Sequence, residues 1–189
     1  MKPKQIYVVR HGLAKGNLPD DPLTEEGCLE AKQVAAFLRQ YLAGRELQII
    51  SSPYMRAIQT AEEIANVLNK DFRQENGLKE RNLGDIGALQ REDLSNELKK
   101  QFDDITLFFP NGESNYDVIE RIKPVLHDIN SNPINQPIIL VTHRLTMTLL
   151  LQQYNKNIGY KEFNKITHPD VYLVDIIYDG VQVKHIWNN

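Results

Sequence analysis

Three short apolar runs, at residues 6–9, 47–50 and 138–141, constrain the fold of this chain more than anything else in it. The first and third are continuous rather than alternating, the pattern of a strand buried on both faces, and the second, Leu47 to Ile50, reads as another short strand. Between them, apolar residues recur at helical spacing. One set is Ala31, Val34, Ala35, Leu38 and Leu42, a second Ala57, Ala61, Ile64, Ala65 and Leu68, a third Val118, Ile122, Val125, Leu126 and Ile129. Strands alternating with amphipathic helices predict an α/β fold with a mainly parallel central sheet and helices on both faces.

Local signals mark the boundaries. Thr24 reads as an N-cap with Glu25 and Glu26 in the first turn, and Ser52-Pro53 as an N-cap followed by a helix-opening proline. Ser114 caps the third helix, which Pro124 should kink. Asn132-Pro133 breaks the chain before the third apolar run, and a further helix is expected over roughly 145–154. Residues 76–113 hold Gly77, Gly84, Gly87, Gly112, a weak helix around 91–102 and the patch Leu107-Phe108-Phe109. They read as a small cap over one end of the sheet, and the patch points to a closed pocket. Asp179-Gly180 between two β-rich runs predicts a C-terminal β-hairpin. For 189 residues this amounts to one domain, 1–189.

Composition narrows the function classes. Lys and Arg number 22 against 25 Asp and Glu, a net charge of -3, which argues against a nucleic-acid or anionic-membrane binder. Cys28 stands alone, so neither an intrachain disulfide nor a cysteine-rich metal site is expected. The four apolar residues after Met1-Lys2-Pro3-Lys4-Gln5 are too few for a signal-peptide core, and no apolar run approaches membrane-spanning length. The expectation is a cytoplasmic protein, either monomer or homodimer.

The chemistry follows from position. The first apolar run leads into Arg10-His11-Gly12, the second into Ser51-Ser52-Pro53 and then Arg56, the third into Thr142-His143-Arg144. In open α/β sheets ligands bind beyond the carboxyl ends of the strands. If the strands are parallel neighbours, Arg10, His11, Arg56 and His143 converge. Two guanidiniums, two imidazoles and a helix N-terminus suit a phosphate. Taken singly, each has a plainer reading as a strand-end or helix-surface residue; together, their mutual repulsion calls for an anion. The five histidines show no paired metal-ligand spacing, and no phosphate-cradling nucleotide loop occurs.

These residues resemble a known pattern. Arg10-His11-Gly12 after an apolar strand is similar to the hallmark of the histidine phosphatase superfamily, the phosphoglycerate mutase-like proteins of branch 1. Asn17 stands where that family has its phosphate-contacting asparagine. The resemblance continues through Pro22-Leu23-Thr24-Glu25-Glu26-Gly27, the segment 51–61 (SSPYMRAIQTA), Leu78-Lys79-Glu80 with Gly84, Gly112-Glu113-Ser114, and Val141-Thr142-His143. It implies a three-layer sandwich and a cofactor-free, metal-independent phosphatase acting on a small phosphorylated metabolite. His11 would attack phosphorus and form a phosphohistidine. Arg10, Arg56 and His143 would bind the phosphoryl oxygens, Asn17 would add a donor, and Glu80 would serve as general acid, then base. Phosphoglycerate mutase-type transfer and phosphohistidine protein phosphatase activity are the alternatives, with a non-catalytic phosphate-binding module behind them. Leu13 and Ala14 depart from the pattern, where an acidic or amide residue and a hydroxyl are usual, and Arg144 replaces a glycine. Arg81 and Arg144 are the candidate contacts to the rest of the substrate.

Overall fold

Each of the three apolar runs is a strand, and the three lie side by side. The structure is a computed structural model describing residues 4–131 and 136–187. Its elements are β1 (Lys4–Arg10), α1 (Glu25–Leu42), β2 (Gln48–Ser51), α2 (Met55–Leu68), β3 (Phe72–Gln74), a 3-10 turn (Asn76–Leu78), α3 (Arg91–Asp103), α4 (Asn115–Ser131), β4 (Ile138–Thr142), α5 (Arg144–Tyr154), α6 (Tyr160–Phe163), β5 (Asp170–Ile177) and β6 (Gly180–His185). The sheet runs β3-β2-β4-β1-β5-β6. β1 through β4 pair in parallel, while β5 pairs antiparallel with both β1 and β6, so the expected parallel core carries an antiparallel edge. The hairpin turns at Tyr178-Asp179, with Gly180 at φ 154°.

The continuous apolar strands are explained by two cores. Ile6, Val8, Ile50, Ile138 and Leu140 point to one face, beneath α4 and α5. Tyr7, Val9, Ile49, Ile139 and Val141 point to the other, beneath α1 and α2. Side chains alternate across a strand, so a strand covered on both faces must be apolar at every position.

Two expectations meet adjustments, and one strand comes without an expectation. β3 carries a single apolar residue, Phe72, and therefore no periodic signal; pairing with β2 is what makes it a strand. α2 opens at Met55, with Tyr54 as its N-cap, not at Pro53, because the Ser52 hydroxyl is engaged by the His143 ring and the Tyr54 N–H. In the cap, Leu107 and Phe108 are 43% and 59% exposed and face solvent, against the expectation of a closed pocket, while Phe109 is partly buried. Ser114 does cap α4: it exchanges hydrogen bonds with Asp117, whose N–H donates to Ser114 Oγ (3.1 Å) while the Ser114 N–H donates to Asp117 Oδ2 (2.9 Å). Pro124 lies inside α4. Asn132-Pro133 falls outside the described residues.

The loop after β1 is held against α1 by glycines. A Cβ on Gly27 would sit 1.9 Å from the Leu13 carbonyl oxygen, and one on Gly12 would sit 2.4 Å from the Gly27 carbonyl oxygen. Both obstacles are backbone, which has no rotamer to relieve them. Gly27→Ala is expected to cost about 1–3 kcal/mol or more, read as a lower denaturation midpoint in urea. An unchanged midpoint would show that the loop can move aside at no cost.

Candidate active site

The strand register assembles the site. Arg10 stands opposite Thr142 on one side and Asp170 on the other, and Ser51 opposite Val141. Beyond the last pairs, the His11 N–H donates to the Thr142 carbonyl (3.2 Å) and the Ser52 N–H to the Val141 carbonyl (2.9 Å). Arg10, His11, Ser52 and His143 therefore emerge along one edge, with Arg56 in the first turn of α2.

His11 is at the centre, 5% exposed. Its Nδ1 lies 2.6 Å from the Gly12 carbonyl oxygen, which can only accept. Nδ1 thus carries the proton and Nε2 the lone pair. Arg56 Nε donates to that Nε2 at 3.2 Å. The His11 ring centroid is 4.9 Å from that of His143, edge to face, and 5.7 Å from that of His168. Burial, then the Arg10 charge, holds protonation of His11 well below the usual histidine range, and burial followed by His11 does the same to His143. His143 Nε2 meets Ser52 Oγ at 2.8 Å, while its Nδ1 is buried without a partner among the described residues.

The guanidiniums are positioned by backbone carbonyls. Arg10 Nη1 donates to the carbonyls of Ile166 (3.1 Å) and Thr167 (2.9 Å), and its Nη2 contacts His168 Nε2. Arg56 donates to the carbonyls of Leu18 (2.7 Å) and Asn17 (3.4 Å), and its Cζ lies 5.0 Å from the Tyr54 ring centroid. Among the described residues no carboxylate forms an ion pair with either.

Glu80 reaches the site through its own hydrogen bonds. The Thr142 hydroxyl donates to the Leu78 carbonyl (2.7 Å) and the Thr146 hydroxyl to the Lys79 carbonyl (2.6 Å), tying this segment to β4 and α5. The Glu80 carboxylate accepts from the N–H groups of Leu145 (3.2 Å) and Thr146 (3.1 Å), at the start of α5. Its charge acts on Arg10, Arg56 and Arg144.

The remaining candidates fall in different places. Asn17 is exposed at the rim and meets Arg56 through its backbone carbonyl. Arg81 is 4% exposed, its terminal nitrogens donating to Asn115 Oδ1 and Gln101 Oε1, both at 2.7 Å, so it ties the cap to α4. Arg144 is half-buried, with Cζ 4.2 Å from the Phe163 ring centroid. At the departures from the family pattern, the Leu13 N–H donates to Glu30 Oε2 (2.6 Å) and Ala14 bridges to Leu23.

Sequence reasoning does not reach His168 or Tyr54. His168 follows α6 with no apolar run before it, and only the return of β5 beside β1 brings it to Arg10. Tyr54 lies inside a motif whose family pattern leaves that position open, yet its ring packs 5.2 Å from His143. Among the described residues no group of His, Cys, Asp and Glu converges to hold a metal ion.

Two buried histidines, His11 and His143, and the half-buried His168, all held neutral, make folding pH-dependent. Burial, then the Arg10 and Arg144 charges, takes His168 down to about 3, and His11 and His143 shift in the same direction. The unfolded chain binds protons at these sites below about pH 6.5, while the folded chain does not. Stability is therefore intact above that pH and falls as pH drops through it. Melting temperatures between pH 7 and 5 should decline with up to about three protons taken up on unfolding, about one fewer in His168→Asn. A flat profile over that range would contradict the neutral, buried assignments.

Comparison with known proteins agrees with this geometry. Residues 6–189 match the histidine phosphatase superfamily (branch 1). A phosphoglycerate mutase-like protein of Arabidopsis thaliana is 27% identical over 88% of this chain, and the match spans 62% of that protein's length. A 6-phosphofructo-2-kinase/fructose-2,6-bisphosphatase of Caenorhabditis elegans is 30% identical over 80% of this chain but only 34% of its own length. Among solved structures, a mycobacterial glucosyl-3-phosphoglycerate phosphatase superposes with a TM-score of 0.77 at 21% identity, covering 99% of both chains. A phosphoserine phosphatase from Entamoeba histolytica superposes at 0.76 with 20% identity, covering 96% of this chain and 95% of its own. Among the described residues no helix is long and apolar enough to cross a membrane.

Proposed function

The chain belongs to the histidine phosphatase superfamily (branch 1), and from that premise we propose that it is a metal-independent phosphatase acting on a phosphomonoester of a small metabolite. The observation that carries this reading is the setting of His11: a desolvated, neutral imidazole whose Nδ1–H is fixed by the Gly12 carbonyl and whose Nε2 lone pair lies among guanidiniums. An uncharged nucleophile beside unpaired cations suits attack on a phosphoryl group.

The reaction has two steps. His11 Nε2 bonds to phosphorus as the ester P–O bond breaks, and Glu80 gives a proton to the leaving oxygen. Glu80 then takes a proton from water, whose oxygen bonds to phosphorus as the P–N bond breaks, releasing inorganic phosphate. Arg10, Arg56 and His143 hold the phosphoryl oxygens throughout. The buried, unpartnered Arg10 Nε and His143 Nδ1 support a site made for an acceptor.

Rapid quenching with a substrate labelled in its phosphoryl group tests this. The label should stay on the protein as an acid-labile, alkali-stable adduct, absent in His11→Ala; no trapped adduct at any quench time would count against the covalent route. EDTA should leave the rate unchanged, and a strong loss would bring back a metal. The exposed Leu107 and Phe108 on the cap favour phosphohistidine on a protein as the second reading. Turnover of a phosphohistidine peptide in preference to small phosphomonoesters would decide for it. Transfer of label to an added acceptor alcohol, without release of phosphate, would instead mark a mutase.

A further inference from the structure

Arg144 sits where stability alone would not put an arginine. It is the first residue of α5, at the helix end where the dipole disfavours a cation. Its charge opposes that of Arg10 and disfavours protonation of His168, and Arg91 opposes it in turn, with Glu80 the charge that favours it. Among the described residues its guanidinium makes no ion pair and donates no hydrogen bond. An arginine that breaks local rules and leaves its donors unused points to function.

What holds Arg144 is an aromatic face. Phe163 is 4% exposed, with Phe102 at 5.6 Å and Tyr160 stacked at 6.0 Å between ring centroids. Tyr160 is anchored in turn, its hydroxyl donating to the Ser95 carbonyl (2.9 Å) on the cap helix α3. Stacking orients a guanidinium while leaving its planar donors available for a carboxylate or phosphate. The location gives the side of the substrate. Glu80 accepts from the N–H groups of Leu145 and Thr146, the two residues directly after Arg144. The Glu80 charge also reaches the Arg144 guanidinium, so a group attached to an oxygen that Glu80 protonates is on the side of the site that Arg144 serves.

We propose that Arg144 receives a second anionic group of the substrate, carried by the alcohol that leaves with the ester oxygen. The inference rests on the phosphatase reading above. It makes the substrate class short phosphorylated hydroxy acids or bisphosphates, with esters of neutral alcohols turned over poorly.

Paired substrates test it. Glycerol 1-phosphate leaves a neutral alcohol, phosphoglycolate a carboxylate and ethylene glycol bisphosphate a second phosphate. The wild-type kcat/KM for an anionic member should exceed that for glycerol 1-phosphate by about tenfold or more, the size of one charge-assisted pair. Arg144→Gln should collapse that ratio to near one, and Arg144→Lys should keep part of it. All three substrates are alkyl esters, so a disturbance of Glu80 lowers their rates together and leaves the ratio in place. Which anionic member is preferred separates carboxylate from phosphate. A ratio that is the same in wild type and Arg144→Gln, or a preference for the neutral ester, overturns the proposal with the phosphatase reading intact. If no ester is turned over, that reading fails by itself, and the subsite is judged by binding. His11→Ala should then be stabilised more by phosphoglycolate than by methyl phosphate, with the difference lost on adding Arg144→Gln; equal stabilisation rejects the subsite.

Discussion

Replacing His11 with alanine should abolish hydrolysis of an aryl phosphate, with a loss of at least about 10⁴-fold in kcat/KM. The neighbouring imidazoles are poor replacements, each being engaged at Nε2. His143 Nε2 is occupied by Ser52, and the His168 Nε2 by Arg10. An activated leaving group does not rescue the variant, because the missing element is the nucleophile itself. His11→Asn, of closer volume, guards against reading a folding defect as a catalytic one. Wild-type rates in both variants would remove His11 from the chemistry.

Glu80→Gln should lower the rate by about 10²–10⁴-fold on an alkyl ester and by less on an aryl ester. The amide keeps the shape but neither donates an acidic proton nor accepts one from water. An aryl oxygen leaves with little protonation, so its first step survives better, while the second step, activation of water, suffers with both substrates. The adduct on His11 should then accumulate during aryl ester turnover. An equal and negligible loss on both esters would take Glu80 out of the mechanism. The glutamine oxygen can still accept from the Thr146 N–H in the Oε1 position, while the Leu145 N–H loses its Oε2 acceptor, so a urea denaturation midpoint measured beside the rates separates a folding defect from the catalytic loss.

Much of the fold was legible because burial on both faces leaves a direct imprint. A strand beneath two helical layers is apolar where it is covered, so β1 and β4 announce themselves as unbroken apolar runs at 6–9 and 138–141, and β2 more weakly through Ile49 and Ile50. The hairpin was legible from Asp179-Gly180, whose turn chemistry is local. β3 was not legible, because a three-residue edge strand is defined by its partner. The apolar cap patch misled because the sequence cannot say which way Leu107 and Phe108 point, and they point outward.

In the site the same division holds. Arg10, His11, Arg56 and His143 follow strand ends, and strand ends can be counted along the chain. The sequence by itself therefore determined the layered α/β architecture and the placement of two guanidiniums and two imidazoles after strand ends, while their convergence on one edge required the parallel pairing of β1 and β2 with β4. Tertiary structure alone decided the rest. It brought His168 against Arg10 through the antiparallel return of β5, gave Glu80 its seat at the start of α5, turned the Arg81 fork inward to Asn115 and Gln101, and laid Arg144 on Phe163. Each of these is a contact between segments distant in the chain, set by packing and hydrogen-bond partners that no local pattern encodes.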